Sequence, residues 1–232
     1  MLELFIGNKN YSSWSLRPWV LMKERGVPFT ERLQPFTPGG SPGFKAFSPS
    51  GRVPCLRDGE LVVWDSLAIV EYVAEQHPGV WPASTEARAW ARSAAAEMHS
   101  SYSALRNQCS MSCGVRVQLK RIDAALRADL DRLAEVWSQG LERFGGPFLA
   151  GASFTAVDAF FCPVAFRVQT YRLPLPPPLL DYANRLLALP SMRAWYDAGL
   201  AETWRDAAHD DEVLLHGTVV EDLRARPLTP RG

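Results

Sequence analysis

The fold of this chain is decided by residues 51–66, which read GRVPCLRDGELVVWDS. Residues 53–57 and 60–63 have the composition of strands, and the Asp58-Gly59 pair between them is typical of a two-residue hairpin turn. Asp65-Ser66 has the character of a helix start, because apolar residues follow it at helical spacing. The stretch therefore predicts an antiparallel hairpin that leads directly into a helix.

The residues before this stretch predict a strand, a helix and a second strand. Residues 2–6 form an apolar-rich run typical of a buried strand, and residues 29–33 alternate as a second one. We expect the helix between them to begin near Ser15 rather than at Ser12, because Pro18 then lies where its missing N–H needs no partner. These elements predict a thioredoxin-like arrangement, with a parallel strand pair followed by the hairpin.

The remainder of the chain has a different character. Alanine-rich helical periodicity replaces the strand signals, notably over residues 87–106 and 118–144. The predicted fold class is therefore α/β + all-α, an N-terminal thioredoxin-like domain (residues 1–80) followed by an all-helical C-terminal domain (residues 86–205). Residues 206–232 are predicted to form an irregular tail.

Composition excludes several classes of protein. The chain has 232 residues, 47 % of them hydrophobic, and its 25 Lys and Arg balance 25 Asp and Glu. A chain without basic excess is not expected to bind nucleic acid, and no apolar run reaches the length of a membrane span. The start lacks the pattern of a signal peptide, so we expect a cytoplasmic protein. The four cysteines and four histidines show no metal-ligand spacing.

Ser12 and Ser13 are the candidate catalytic residues. They lie between the first strand and the first helix, where hydroxyls and the helix dipole favour a bound anion. A hydrogen bond to the charged form lowers the pKa of a thiol, and a thiolate is a competent nucleophile. The alternative is that both serines only cap the helix. No histidine pairs visibly with them, so a hydrogen-bond donor is a better interpretation than a nucleophile.

Two further segments have both a binding and a structural interpretation. A cis peptide at Val53-Pro54 would leave the backbone of Val53 free to pair with an extended ligand, whereas a trans proline would only border a strand. Asp65-Ser66 is a simple helix cap or a site for a ligand's ammonium and carboxylate groups. Residues 155–158 are predicted to be a capping box with a purely structural role.

The aromatic residues of the first helix and of the helical domain are mostly expected in the core. Trp14 and Tyr102 are the exceptions that we expect to wall an apolar pocket between the domains. Taken together, these segments suit the capture of a small, acidic, peptide-like thiol.

These motifs resemble the soluble glutathione transferase family over most of the chain. Residues 12–17, SSWSLR, are similar to the serine motif of its zeta branch, in which the first serine, here Ser12, holds the glutathione thiolate. Trp14 replaces the cysteine of that motif, which counts against maleylacetoacetate isomerisation. Residues 44–54 resemble the family's second helix and its cis-proline loop, and Asp65-Ser66 fits the pair that grips the γ-glutamyl group.

The resemblance implies a cytoplasmic, homodimeric enzyme that attaches glutathione to a small hydrophobic electrophile without a metal. It assigns glutathione binding to Lys45, Arg52, Val53, Pro54, Asp65 and Ser66, and the electrophile pocket to Tyr11, Trp14, Tyr102 and Arg106. Three alternatives remain open: glutathione-dependent peroxide reduction or thiol transfer, isomerisation at the same site, and a non-catalytic protein that only binds a ligand. We expect the helix around residues 94–96 to allow close packing in a dimer.

Overall fold

The computed structural model describes residues 1–37 and 42–225. The first domain contains a four-stranded sheet and two helices. Its elements are β1 (Leu2–Ile6), α1 (Ser13–Glu24), β2 (Phe29–Leu33), a short 3-10 helix (Pro42–Ala46), β3 (Cys55–Asp58), β4 (Leu61–Trp64) and α2 (Ser66–Gln76).

The sheet has the order β2-β1-β3-β4. β1 is parallel to β2, with Leu4 opposite Glu31, and antiparallel to β3, with Leu4 opposite Leu56. β3 and β4 form the predicted hairpin, and Gly59 in its turn has a positive φ of 58°, which suits glycine. The thioredoxin-like arrangement expected from the sequence is confirmed.

The second domain is mainly helical. It contains α3 (Thr85–Ser100), α4 (Ser103–Gln108), β5 (Val115–Leu119), α5 (Ala124–Phe144), α6 (Ala156–Tyr171), α7 (Pro177–Leu187), α8 (Pro190–Ala201), α9 (Ala207–His216) and β6 (Gly217–Asp222). Every residue of α6 except Gln169 is buried, so α6 is the central helix of this domain. It starts at the predicted capping box, where the Thr155 N–H donates to Asp158 Oδ2 at 2.9 Å.

Two predictions about this half of the chain are wrong. Residues 118 and 119 belong to strand β5, not to a helix, and residues 207–222 of the expected irregular tail form α9 and β6. β5 and β6 pair as an antiparallel ribbon. The alternation in Val115-Arg116-Val117-Gln118-Leu119 is a strand signal, and its partner strand lies about a hundred residues later. Residues 226–232 of the predicted tail lie outside the described residues.

The start of the first helix also differs from the prediction. α1 begins at Ser13, with Ser12 in the capping position, and Pro18 therefore lies inside the helix. The Leu16 N–H donates to the Ser12 carbonyl at 3.2 Å, which shows that the helical hydrogen bonds are established before Pro18. The missing N–H of Pro18 removes one bond within the early turns of a helix that is buried on most sides.

The two domains pack through α1 and α6. One cluster of buried apolar side chains runs through both domains and includes Leu16 and Val20 of α1 and Phe160 and Val164 of α6. Ala94 and Ala95 of α3 also lie in this core, so they are not open to the dimer packing that the sequence suggested for residues 94–96. Over residues 1–37 and 42–225, no helix combines the length and the apolar character that crossing a bilayer requires.

Candidate functional site

A cleft of about 430 Å³ lies between the two domains. The loop before α1, the start of α1, the segment before β3, α6 and α9 all contribute to its wall. The residues that line it are Tyr11, Ser12, Ser13, Trp14, Phe36, Phe44, Gly51, Arg52, Val53, Arg106, Ser110, Met111, Arg167, His209 and Glu212.

The loop that carries the serines is held in place by the helical domain. The Lys9 N–H donates to Glu202 Oε1 at 2.6 Å, and the indole N–H of Trp195 donates to the Lys9 carbonyl at 2.8 Å. The Cys113 N–H donates to the Asn10 carbonyl at 3.1 Å. Burial raises the pKa of the Glu202 carboxyl above its ordinary value, although hydrogen bonds from the Lys9 and Asn10 N–H groups oppose that rise. The position of Ser12 therefore depends on contacts made by the second domain.

Ser12 and Ser13 both line the cleft, but their hydroxyls differ in hydrogen bonding. Ser12 Oγ donates to Ser15 Oγ at 2.7 Å, and Ser15 Oγ also accepts the Gly7 N–H at 3.2 Å. The Ser13 hydroxyl makes no hydrogen bond to the described part of the chain. The Ser12 hydroxyl is thus oriented by the buried Ser15, and the Ser13 hydroxyl is free to bind a ligand.

The segment before β3 forms the opposite side of the cleft. The Val53-Pro54 peptide is cis, which answers the question that the sequence left open. Arg52 and Val53 line the cleft, whereas Pro54 is buried behind them. Lys45 lies beside this segment, where its Nζ donates to the Pro49 carbonyl at 3.1 Å.

Asp65 and Ser66 lie at the start of α2 and are not among the residues that line the cleft. Asp65 Oδ1 accepts the Leu67 N–H at 2.8 Å, and Asp65 Oδ2 lies 3.4 Å from His99 Nε2 of α3. The Ser66 hydroxyl is buried and has no hydrogen-bond partner among the described residues. Asp65 therefore caps α2, and the Ser66 hydroxyl beside it is left unsatisfied.

Trp14 forms an aromatic wall flanked by two guanidinium groups. The guanidinium carbon of Arg17 lies 4.2 Å from the centre of its ring, and that of Arg106 lies 4.7 Å away. Such cation–π contacts partly compensate a cation for lost hydration. Arg17 is buried, and burial together with repulsion from Arg106 and Arg167 lowers the pKa of its side chain.

The two predicted tyrosines have different surroundings. Tyr11 lines the cleft, and its hydroxyl donates to Asp210 Oδ1 at 3.1 Å; burial raises its pKa to about 12. Tyr102 is not among the residues that line the cleft, and its predicted place in the electrophile pocket stays a prediction. Its hydroxyl donates to Glu97 at 3.2 Å, and its left-handed backbone (φ 59°) at the start of α4 places the ring in the helical core.

Several lining residues were missed by the sequence reasoning because they belong to α6 and α9. His209 of α9 stacks between Tyr11 and Phe36, with ring centres 5.1 and 4.9 Å away. Its Nδ1 lies 2.5 Å from Asp206 Oδ2, which also caps α9. Asp206 at the capping position, with Asp210 in the first turn, is a helix-start signal that the irregular-tail prediction overlooked. Among residues 1–37 and 42–225, no group of three or more His, Cys, Asp or Glu side chains is arranged to hold a metal ion.

Two family models match the chain. The model described as the glutathione S-transferase N-terminal domain matches residues 11–76, and that described as the glutathione S-transferase C-terminal domain matches residues 116–198. The chain belongs to the glutathione S-transferase family. The first match contains both serines and the hairpin, and the second contains α6. The family expected from the sequence is confirmed, and its zeta-like branch stays a prediction.

Similar glutathione transferases cover most of the chain. The glutathione S-transferase-like protein OpS6 of Beauveria bassiana is 25 % identical over 208 residues, which span 85 % of this chain and 89 % of that protein. The theta class enzyme from Xanthomonas axonopodis pv. citri, solved with glutathione bound, is 25 % identical with a TM-score of 0.62, over 84 % of this chain and 96 % of that one. A glutathione transferase homolog from Burkholderia gl BGR1 has a TM-score of 0.64 at 24 % identity, over 85 % of this chain and 97 % of that one, and thus shares the fold.

Proposed function

We propose that this chain is a glutathione transferase that binds glutathione in the cleft as a thiolate and attaches it to an electrophile. The observation that carries the proposal is the pair of serine hydroxyls at the start of α1, on the wall of a cleft between the two domains. Family membership supports glutathione as the thiol, since two solved relatives hold it. The thiol proton leaves to solvent when glutathione binds. The sulfur then forms a bond to an electrophilic carbon, which either releases a leaving group with its bonding electrons or, in an addition, gives up its π-bond electrons to a neighbouring atom that takes a proton from solvent.

Ser12 is the proposed donor to the thiolate. A hydroxyl hydrogen rotates freely about its bond, and Ser15 Oγ can donate to Ser12 Oγ in return. Ser12 can then direct its hydrogen to sulfur while the 2.7 Å contact with Ser15 keeps its oxygen in place. One hydrogen bond to an anion contributes roughly 1.5–3 kcal/mol, which lowers a thiol pKa by about one to two. The partial positive charge at the start of α1 acts in the same direction.

The rest of glutathione is proposed to extend along the first domain. Asp65 would attract its ammonium group, and the Ser66 hydroxyl, which is enclosed and unsatisfied among the described residues, would turn outward to donate to its γ-glutamyl carboxylate. Val53 would pair with its cysteinyl backbone. Pro54 supports this segment from behind, and Lys45 and Arg52 would meet the glycyl carboxylate.

The electrophile is proposed to enter from the helical side of the cleft. Tyr11, Trp14 and Arg106 line that part together with Met111, which gives the electrophile an aromatic and apolar wall. We also propose, from the family resemblance, that the protein is a cytoplasmic homodimer. The exposed side chains of Leu61 and Trp64 on edge strand β4 offer an apolar surface for a second copy, and gel filtration tests the assembly.

Replacing each serine in turn tests the proposed function. We expect Ser12→Ala to lower kcat/KM for conjugation of glutathione with chlorodinitrobenzene by about 10- to 100-fold, because one hydrogen bond to the thiolate is lost. Ser13→Ala is the matched control, since it removes a neighbouring hydroxyl from the same wall. Retention on immobilised glutathione should persist in both variants, because the peptide part of the ligand still binds.

Three outcomes contradict parts of this proposal. A larger loss in Ser13→Ala than in Ser12→Ala would move the thiolate donor to the free hydroxyl. Retention of glutathione without any conjugation would indicate a binding protein. Failure to retain glutathione at all would show that only the fold is shared with the transferases.

A further inference from the structure

Arg167 is a buried cation whose charged end faces the cleft. It lies on α6, is only 5 % exposed, and is one of the lining residues. Its Nε donates to the Cys109 carbonyl at 2.8 Å, which fixes the plane of the guanidinium group. Its two terminal nitrogens make no hydrogen bond to the described residues, yet they are not among the fully enclosed unpaired atoms. They therefore keep access to the cleft.

No carboxylate neutralises this arginine in the described part of the chain. Neither Arg167 nor its neighbours Arg17 and Arg106 lies within salt-bridge distance of a described Asp or Glu oxygen. Buried charges in proteins are normally paired, because desolvation of an unpaired ion is costly. Burial and the repulsion of Arg106 lower the pKa of Arg167 to about 10, so the site is still cationic at neutral pH.

The one carboxylate that lines the described cleft is already engaged by a different partner. Glu212 of α9 accepts the Ser110 hydroxyl at 2.7 Å. Arg106 donates to the carbonyls of Met98, His99 and Ser101, which are neutral acceptors at the end of α3. The helical side of the cleft thus holds two guanidinium groups without a paired anion.

We propose that Arg167, assisted by Arg106, binds a carboxylate of the second substrate, so that the preferred electrophile is a small aromatic or unsaturated acid. The inference rests on the proposed function and specifies the substrate class of the same site. A guanidinium offers two parallel N–H donors that match the two oxygens of a carboxylate. Trp14 lines the cleft and keeps 37 % of its surface exposed, so its uncovered part can contact the body of such a molecule.

A matched pair of probes separates charge from shape. Chloronitrobenzoate carries a carboxylate, whereas chloronitrobenzamide has nearly the same shape and no charge. In both, the thiolate sulfur forms a bond to the ring carbon that bears chlorine, and chloride leaves with the electrons of the broken bond. Binding of each probe is first measured by calorimetry without glutathione, and turnover is then measured with it.

We expect the wild-type protein to bind the benzoate at least about tenfold more tightly than the benzamide, and Arg167→Gln to abolish most of that preference. Arg193→Gln is the control, because Arg193 is exposed on α8 and its side chain makes no hydrogen bond or ion pair within residues 1–37 and 42–225. Arg167→Lys keeps the charge but loses the paired donors, so it should recover only part of the preference.

The wild-type comparison decides the inference even where a variant fails to fold. Equal binding of the two probes, or binding of neither, would overturn it, whereas turnover of the benzamide alone would leave the proposed transferase intact. A second test measures benzoate binding again in the presence of saturating S-methylglutathione, whose methylated sulfur cannot react. If it abolishes benzoate binding, Arg167 serves a carboxylate of glutathione and the inference is wrong; if benzoate still binds, the carboxylate belongs to the second substrate.

Discussion

The buried carboxyl group of Asp158 connects three segments of the helical domain. It is fully buried and accepts hydrogen bonds from the Leu149 N–H at 3.0 Å, the Thr155 N–H at 2.9 Å and the Tyr182 hydroxyl at 2.8 Å. Burial raises the pKa of this carboxyl from 3.8 to about 6, and the hydrogen bonds only partly oppose it. The capping box is therefore sensitive to pH.

We predict that ionisation of Asp158 weakens the fold as the pH rises. Its folded pKa is above its unfolded one, so its stabilising contribution is complete below about pH 4 and is lost as the pH rises through about 6. The free energy of unfolding of the wild type, relative to that of Asp158→Asn, should fall by about 3 kcal/mol from about pH 3 to about pH 7. Denaturant titrations at several pH values measure the difference.

Asp181→Asn is the control for this prediction, because Asp181 is exposed on α7 and its side chain makes no hydrogen bond or ion pair to the described residues. A relative stability that is flat, or that rises with pH, would contradict the assigned direction.

At the scale of single residues, the sequence predicts a cleft residue only where its neighbours along the chain mark its position. The place of Ser12 and Ser13 between β1 and α1 was predictable, although α1 begins at Ser13 and not near Ser15, and both residues line the cleft. Arg167 could not be found in this way, because its helix is almost entirely buried and its neighbours along the chain are apolar. Only the packing of α6 against the first domain brings its charged end to the cleft.

At the scale of elements, the β5–β6 ribbon is the part that sequence reasoning missed. It fixes the C-terminal end of α9, which supplies His209 and Glu212 to the cleft. Its two strands lie about a hundred residues apart, and no turn signal connects them. The hairpin at Asp58-Gly59 was predictable for the opposite reason, since its turn residues lie next to both strands.

Gly217 tests the role of this ribbon. A Cβ added there would meet a methyl group of Val117 and would lie 3.0 Å from the backbone oxygen of Gln118. Gly217→Ala should therefore push β6 away from β5 and destabilise the protein by about 1–3 kcal/mol. Thermal unfolding measures the effect, and Gly43→Ala is the control, because a Cβ at Gly43 would meet no atom of the described residues within 4 Å. Equal melting temperatures in the two variants would show that the β5–β6 ribbon accommodates the added methyl group, which would contradict this prediction.

At the scale of the whole molecule, the two domains share one apolar core. Side chains of α1 and α6 belong to the same buried cluster, and the serine loop is bonded to Glu202 and Trp195 of the second domain. The division into two domains was predictable from the change in periodicity. The extent of the core that the two domains share was not predictable, because it depends on which faces of α1 and α6 pack together.

We therefore predict that the two domains unfold in one transition. Tryptophan fluorescence and far-ultraviolet circular dichroism should give the same denaturant midpoint, because loss of either domain exposes the shared core. Leu16→Ala, in the buried face of α1, should lower both midpoints together. Two separate transitions would contradict a shared core.

The most direct test of the central claim is the pKa of the thiol of bound glutathione. Ultraviolet titration of the thiolate in the complex should give a value about one to two below that of the free thiol for the wild type, and a value near the free one for Ser12→Ala. A bound thiol whose pKa equals the free value in the wild type, or stays depressed in both Ser12→Ala and Ser13→Ala, would show that these hydroxyls do not stabilise the thiolate.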